Sequence, residues 1–329
     1  MLRLPPFEYL APRALEEAAE MMDRHGPAAM LVAGGTDLYP NMKRRLFTPE
    51  KLVGLAGIEE LKKFEANGGL TLGAGLTLTQ VSRHPLILER YPALATAAGL
   101  VSTPQLRNMG TIGGNLCIDT RCNYYNQTEP WREALTFCLK KDGDTCWVAP
   151  SSPRCWAVNS SDTAPVMIAL DASVRLVGPQ GERTLPAQAL YHNDGIDFLR
   201  KAPDEILSEI HLPEASGVKM TYLKLRRRGS FDFPILGVAV AIRQAEDGTC
   251  TGASIVLGAV ASYPIKATGA EEMLAGQKLT DELIEEAAKV AFKPAKPLDN
   301  TDMGHPYRKQ MVRVYVARAL RQVAGLDQH

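Results

Sequence analysis

Cys122, Cys138, Cys146 and Cys155 stand with fifteen, seven and eight residues between successive members. They lie in a forty-residue stretch, Cys117 to Trp156, that also holds all three tryptophans. Four thiols in so short a window can bridge in pairs, bind a metal, or sit unused in a core. A [4Fe–4S] cube needs one thiolate for each iron, hence four cysteines converging on one point. Structural zinc is the physical competitor, because a tetrahedron of thiolates satisfies it equally well. Zinc sites, however, usually draw on closely spaced Cys-x-x-Cys pairs, which this stretch lacks, and it contains no histidine. The spacing favours the cluster. Trp131, Trp147 and Trp156, with Tyr124 and Tyr125, supply apolar cover that would limit water access to such a centre. The same aromatics also suit a plain satellite core beneath a long loop. Cys117, beside Gly-Gly-Asn-Leu, reads as a packed residue or as a ligand in place of Cys122, and Cys250 reads as structural.

Two glycine motifs form the second chemical feature. Ala29-Met30-Leu31-Val32-Ala33-Gly34-Gly35-Thr36 is a short apolar strand running into two glycines and a hydroxyl. Glycine lets backbone approach a ligand closely and present several N–H donors in one concave turn, which suits a phosphate. Thr111-Ile112-Gly113-Gly114-Asn115 is a second glycine loop with its own Thr and an Asn. Two such loops could grip the two halves of a diphosphate cofactor. A tight turn is the plain alternative for each, since neither is GxGxxG nor a P-loop.

These segments must be positioned by ordinary elements. Pro12–Asp23 predicts a helix, with Leu15, Ala18, Ala19 and Met22 on one apolar face. Short strands are expected at 29–33, 51–55 and 70–74, and helices at 58–64, 79–83 and 86–100. That alternation indicates α/β construction. The glycine segment 110–115 breaks the pattern as a loop. Further strand pieces are expected at 172–177, 181–186 and 205–212. A domain boundary falls near Ala215-Ser-Gly-Val218. Beyond it, three β-rich runs (220–225, 235–243, 251–261) and helices at 271–274, 280–292 and 306–323 read as an antiparallel sheet with packed helices. The division is therefore 1–217 and 218–329, with an insertion at about 117–158.

The chain has 329 residues, for which about two domains of ~150 residues are expected. Lys+Arg and Asp+Glu are both 37, giving zero net charge, which argues against nucleic acid as a partner. Arg226–Arg228 is the one strong basic patch, either a solvated surface or a contact for a cofactor phosphate or partner. The start, Met1-Leu-Arg-Leu-Pro-Pro, has no apolar h-region, and the longest apolar runs fall well short of the ~20 residues needed to span a bilayer. A cytoplasmic protein with no membrane association is expected. Reducing surroundings there disfavour disulfides among the cysteines.

Val32-Ala-Gly-Gly-Thr-Asp-Leu38, Asn108-Met-Gly-Thr-Ile-Gly-Gly-Asn115, Ser161-Asp162-Thr-Ala-Pro-Val166 and Phe231-Asp-Phe-Pro234 together resemble the FAD-binding medium subunits of the molybdenum hydroxylases, the xanthine dehydrogenase and carbon monoxide dehydrogenase flavoprotein family. The resemblance covers nearly the whole chain. It implies an α+β fold: a two-part FAD-binding domain of the PCMH type, with a small α/β lobe and a larger mixed lobe, then a C-terminal antiparallel sheet with helices. It implies that Ala29–Thr36 hold the FAD pyrophosphate, continued by Thr111, Ile112, Gly113, Gly114 and Asn115 with backbone and side-chain donors. Val101 would pack near the flavin, Asp162 would accept from the adenosine ribose, and Leu207 and Lys224 would sit at the isoalloxazine end. Plain readings remain beside these: a helix N-cap for Asp162, core for Val101, a surface lysine for Lys224.

In this family the Gly-Gly-Asn and Ser-Asp motifs are normally joined by a short turn, whereas here Asn115 and Asp162 are 47 positions apart. That departure resembles a branch whose insertion binds an additional [4Fe–4S] cluster through four cysteines, here Cys122, Cys138, Cys146 and Cys155. The implied partners are a molybdenum-cofactor large subunit and a small subunit with two [2Fe–2S] clusters, in a dimer of heterotrimers, with ferredoxin as electron donor. A zinc-stapled scaffold and a standalone FAD oxidase stand as alternatives.

Overall fold

Leu15, Ala18, Ala19 and Met22 share one buried face of the helix Leu15–His25, as their spacing requires. The helix carries Glu16 and Glu17 in its first turn and Arg24 and His25 in its last, complementing its dipole. It packs on both sheets of the first lobe pair in a computed structural model that describes residues 2–326. Strands β1 (Glu8–Leu10), β2 (Ala29–Val32) and β3 (Lys51–Gly54) form a parallel sheet in the order β1-β3-β2. The larger lobe is antiparallel: β4 (Phe64–Glu65), β5 (Leu70–Gly73), β6 (Ser173–Gly178), β7 (Gly181–Pro186) and β8 (Ile206–Leu212), in the order β4-β5-β8-β6-β7. The turn around Ser216–Gly217 leads into a third, antiparallel sheet. It comprises β9 (Val218–Leu225), β10 (Leu236–Gln244), β11 (Cys250–Gly258) and β12 (Ile265–Lys266), ordered β12-β11-β10-β9.

Strand β10 explains why the halves hold together. Its alternate side chains face opposite ways. Val238, Val240 and Ile242 join the core under the C-terminal helices Asp281–Ala291 and His305–Ala324. Ala239 and Ala241 join the core of the first two sheets. One strand serves two cores. The α+β class and the C-terminal antiparallel sheet with helices stand as expected. No described helix is long and apolar enough to cross a membrane.

Several local expectations are corrected. The helix anticipated over 86–100 is two, Pro85–Arg90 and Pro92–Leu100, because Pro92 has no N–H to continue the ladder. The 58–64 helix is only a 3-10 turn, Glu59–Lys62, before β4. The glycine segment expected as a loop is the short helix Ile112–Leu116, started by Thr111, whose Oγ1 accepts from the Gly114 N–H at 3.0 Å. The insertion contains an unforeseen helical turn, Glu129–Ala134.

Candidate functional site

Met109 and Gly110 press directly against Gly34. A Cβ on Gly34 would lie 1.9 Å from the Met109 carbonyl oxygen, so only glycine permits the two motifs to touch. Gly35 turns the chain with φ +68 in the left-handed region and lies under the Tyr39 ring. Among the described residues, the N–H groups of Gly34, Gly35 and Thr36 find no protein acceptor. Three free donors at the end of a strand form an anion cradle.

The cradle opens into a cavity of about 680 Å³, within the range of small-molecule and cofactor sites. Its lining includes Ala29, Met30, Leu31, Val32, Ala33, Gly34, Gly35 and Thr36, together with Val101, Thr111, Gly113, Gly114, Asn115 and Leu207. Leu106, Ile196 and Phe233 stand exposed at its rim. The donors expected from the second motif need correction. The Gly113 N–H is spent on Ala74 O at 2.9 Å and that of Gly114 on Thr111, because the segment is a helical turn. Asn115 Oδ1 accepts from Ser161 Oγ, Thr163 N and Thr163 Oγ1 at 2.9, 3.2 and 2.7 Å. It therefore holds the turn before the helix Thr163–Ala169.

Ile112, Asp162 and Lys224 are not among the residues lining the cavity. Ile112 is core. Asp162 makes no side-chain cap; its carboxylate accepts from Tyr222 Oη at 2.8 Å and Lys224 Nζ at 2.9 Å. Burial pushes the Asp162 carboxyl up and the Lys224 ammonium down, while the pairing opposes both shifts. Lys224 also donates to Leu100 O at 3.0 Å, one residue before the cavity wall at Val101. This pair stands behind the wall and fixes it.

The insertion folds over one end of the same cavity. Arg121 and Val158 exchange two 2.8 Å backbone hydrogen bonds, closing the loop at its base. Cys122, Cys138, Cys146 and Cys155 are all buried free thiols. Cys122, Cys138 and Cys155 share a small core with Leu46, Tyr125 and Ala157. Burial pushes the Cys122 thiol up to about 12, and charge on Cys155 and Cys138 adds to the rise. Burial likewise pushes Cys155 up to about 11, with Cys146 and Cys138 adding and Lys140 opposing. Cys122, Cys138 and Cys155 therefore lie close together, whereas Cys146 is buried outside that small core. Yet among the described residues no three Cys, His, Asp or Glu gather tightly enough for a single metal ion. One zinc holds its sulfurs about 2.3 Å from a common point. A cube instead binds each thiolate to a different iron.

Lys140 joins nest to cavity. Its ammonium, on a side chain only 6% exposed, donates to Asp119 Oδ1, Thr120 Oγ1 and Gly195 O at 2.7, 2.6 and 2.6 Å. It lies 4.7 Å from the Tyr125 ring centroid and 5.2 Å from that of Phe198. Asp119, Tyr125, Lys140 and Phe198 all line the cavity, and Tyr125 also packs among the cysteines. Gly195 has no room for a side chain, since its Cβ would meet Cys155 Sγ at 2.6 Å. Buried Arg132 donates to the carbonyls of Arg44 and Arg45 at the end of the helix Leu38–Lys43, which follows the cradle. Arg121 pairs with Asp37 and lies 4.1 Å over Phe233. Lys140, Asp119, Gly195 and Arg132 were missed by sequence reasoning; each is a lone residue without a spacing signal.

A strand-end anion cradle opening on a large cavity between an α/β lobe and a mixed lobe defines a dinucleotide-binding flavoprotein class. The family models agree: "FAD binding domain in molybdopterin dehydrogenase" matches residues 5–215, and "CO dehydrogenase flavoprotein C-terminal domain" matches 220–323. The chain belongs to the family of FAD-binding medium subunits of the molybdenum hydroxylases. It is 30% identical over 318 residues, 96% of each chain, to the carbon monoxide dehydrogenase medium chain of Hydrogenophaga pseudoflava. It is 33% identical to the aldehyde oxidoreductase FAD-binding subunit of Escherichia coli (strain K12), over 80% of this chain and 86% of that one. The solved carbon monoxide dehydrogenase of Hydrogenophaga pseudoflava superposes with a TM-score of 0.83 at 29% identity, covering 99% of this chain and 100% of that one.

Proposed function

We propose that this chain is the flavin subunit of a 4-hydroxybenzoyl-CoA reductase-type complex, equivalent to that enzyme's β subunit. Its cofactors are FAD and a [4Fe–4S] cluster. The observation that carries the reading is that four buried free thiols lie in the insertion, three of them packed with Tyr125, which also lines the cofactor cavity. When bound, the cluster would take single electrons from a ferredoxin and FAD would store them in pairs for a molybdenum-bearing large subunit and a small [2Fe–2S] subunit. The net reaction consumes two electrons and two protons and releases the phenolic hydroxyl of the substrate as water.

The chain's own residues do positional work. Gly34, Gly35 and Thr36 present N–H donors to a pyrophosphate, and Ala29–Ala33, Val101 and Leu207 line the space beyond. Asp162 and Lys224 hold the wall at Leu100 from behind. Cys122, Cys138, Cys146 and Cys155 hold the cluster; buried Tyr125, packed against three of them, limits water there. We place the assembly in the cytoplasm as a dimer of heterotrimers, with no nucleic acid or membrane partner.

The relatives' names specify carbon monoxide, nicotinate and aldehyde oxidoreductases, so a flavin subunit for another substrate of that breadth is the alternative. A zinc-stapled scaffold is the other alternative, disfavoured because the insertion has neither closely spaced cysteine pairs nor a histidine. Metal analysis of the anaerobically purified full-length chain tests the reading: about four irons and four sulfides per chain support it, and one zinc without iron overturns it. The purified complex with reduced ferredoxin should convert 4-hydroxybenzoyl-CoA to benzoyl-CoA; absence of turnover, with iron present, points to the alternative substrate.

A further inference from the structure

Asn300 lies in the C-terminal domain, yet it touches both ends of the cysteine insertion. Its backbone carbonyl accepts from the N–H of Asn123, the residue after Cys122, at 2.9 Å. Its side-chain Nδ2 donates to the carbonyl of Trp156, the residue after Cys155, at 2.6 Å. Asn300 is 2% exposed, so water cannot replace either bond cheaply. Its Oδ1 is in turn held at 3.2 Å by Arg308 Nη1, on the helix His305–Ala324. Arg308 is fully buried and donates also to Leu298 O, Ala259 O and Ile235 O, at 2.8, 2.6 and 3.4 Å. Its guanidinium thus spans the connecting segment, the end of β11 and the start of β10. A further stitch, Asn159 N to Ala261 O at 3.0 Å, holds the exit of the insertion to the same domain.

We propose that Asn300, oriented by Arg308, is a positioning residue that latches the first and fourth cysteines of the nest to each other through the C-terminal domain. The inference rests on the cysteine-nest reading above. The two halves of the latch are chemically different, backbone at the Cys122 end and side chain at the Cys155 end. Removing the side chain therefore frees one cysteine and leaves the other held. A generally structural asparagine would loosen both.

The test uses the full-length chain, freed of iron and kept reduced, with iodoacetamide at fixed pH and peptide mapping of each cysteine. Asn300→Ala, and the isosteric Asn300→Asp that keeps an acceptor for Arg308 but loses the donor to Trp156, should both speed labelling of Cys155. Losing one hydrogen bond to a buried carbonyl raises the open population roughly 5- to 10-fold. Labelling of Cys122 should change less than about 2-fold, and FAD binding should match the parent. Equal acceleration at both cysteines, or none at Cys155 in Asn300→Asp, overturns the latch. Iron content of the untreated parent chain tests the nest reading separately, since the labelling comparison needs no metal.

Discussion

Gly34→Ala bears most directly on the cradle. Its Cβ would sit 1.9 Å from Met109 O and 2.5 Å from Met109 C, where ordinary contact begins near 3.4 Å. One backbone segment must retreat by about 1.5 Å, and neither neighbour is a side chain that can swing away. Overpacking of this kind costs about 1–3 kcal/mol. The retreat also misdirects the free N–H groups of Gly34, Gly35 and Thr36. Losing one hydrogen bond to a charged phosphate costs about 1.5–3 kcal/mol, so at 1.4 kcal/mol per decade FAD affinity should fall roughly 10- to 150-fold, while the overpacking lowers the melt. The assay is titration of the FAD-free chain with FAD, followed by flavin fluorescence, beside a thermal melt. Gly252→Ala on β11 is the control: nothing lies within 4 Å of its Cβ, so stability should change by under about 0.5 kcal/mol and affinity not at all. Parent-like FAD affinity and melting in Gly34→Ala would refute the contact-built cradle.

Lys140→Met should cost about 1–3 kcal/mol in denaturant unfolding, because it leaves Gly195 O with only Thr120 Oγ1 and the Asp119 carboxylate with only the Tyr125 hydroxyl as donor. Adding Asp119→Asn should recover part of that loss, and strict additivity in the double mutant would contradict the pairing. Asn115→Ala leaves the buried donors of Ser161 and Thr163 without their acceptor and should cost about 2–4 kcal/mol, while Asn115→Asp keeps most of the stability. The Arg183 guanidinium holds the Glu205 carboxyl below its ordinary 4.5, through hydrogen bonds of 2.6 and 2.8 Å. That contribution is complete above the unfolded value and disappears as pH falls through the lower folded value. Glu205→Gln should therefore lower stability near neutral pH and converge with the parent in acid; a pH-independent loss contradicts the assignment.

The cradle was legible in the sequence because close backbone approach demands glycine whatever the tertiary context. Gly34 against Met109 is such a case. The four cysteines were legible by residue type alone. The second glycine motif misled in part, because Thr111 three residues before Gly114 is equally a helix N-cap signature, and the cap uses the N–H groups assigned to the ligand. Lys140, Gly195 and Asn300 left no trace in periodicity or spacing. Their partners lie as much as 144 positions away, as with Asn300 and Trp156, and only the folded chain brings them together. Lys224 was singled out by resemblance alone, and its pairing with Asp162 depends on how β9 packs on the first lobe pair.

Low-temperature EPR of the dithionite-reduced, anaerobically purified chain reads the central claim most directly, compared with Cys138→Ser. The account predicts a fast-relaxing iron–sulfur signal in the parent, lost or strongly altered in the variant, with FAD retained in both. A parent spectrum showing no iron–sulfur signal, or a signal unchanged by Cys138→Ser, would contradict it.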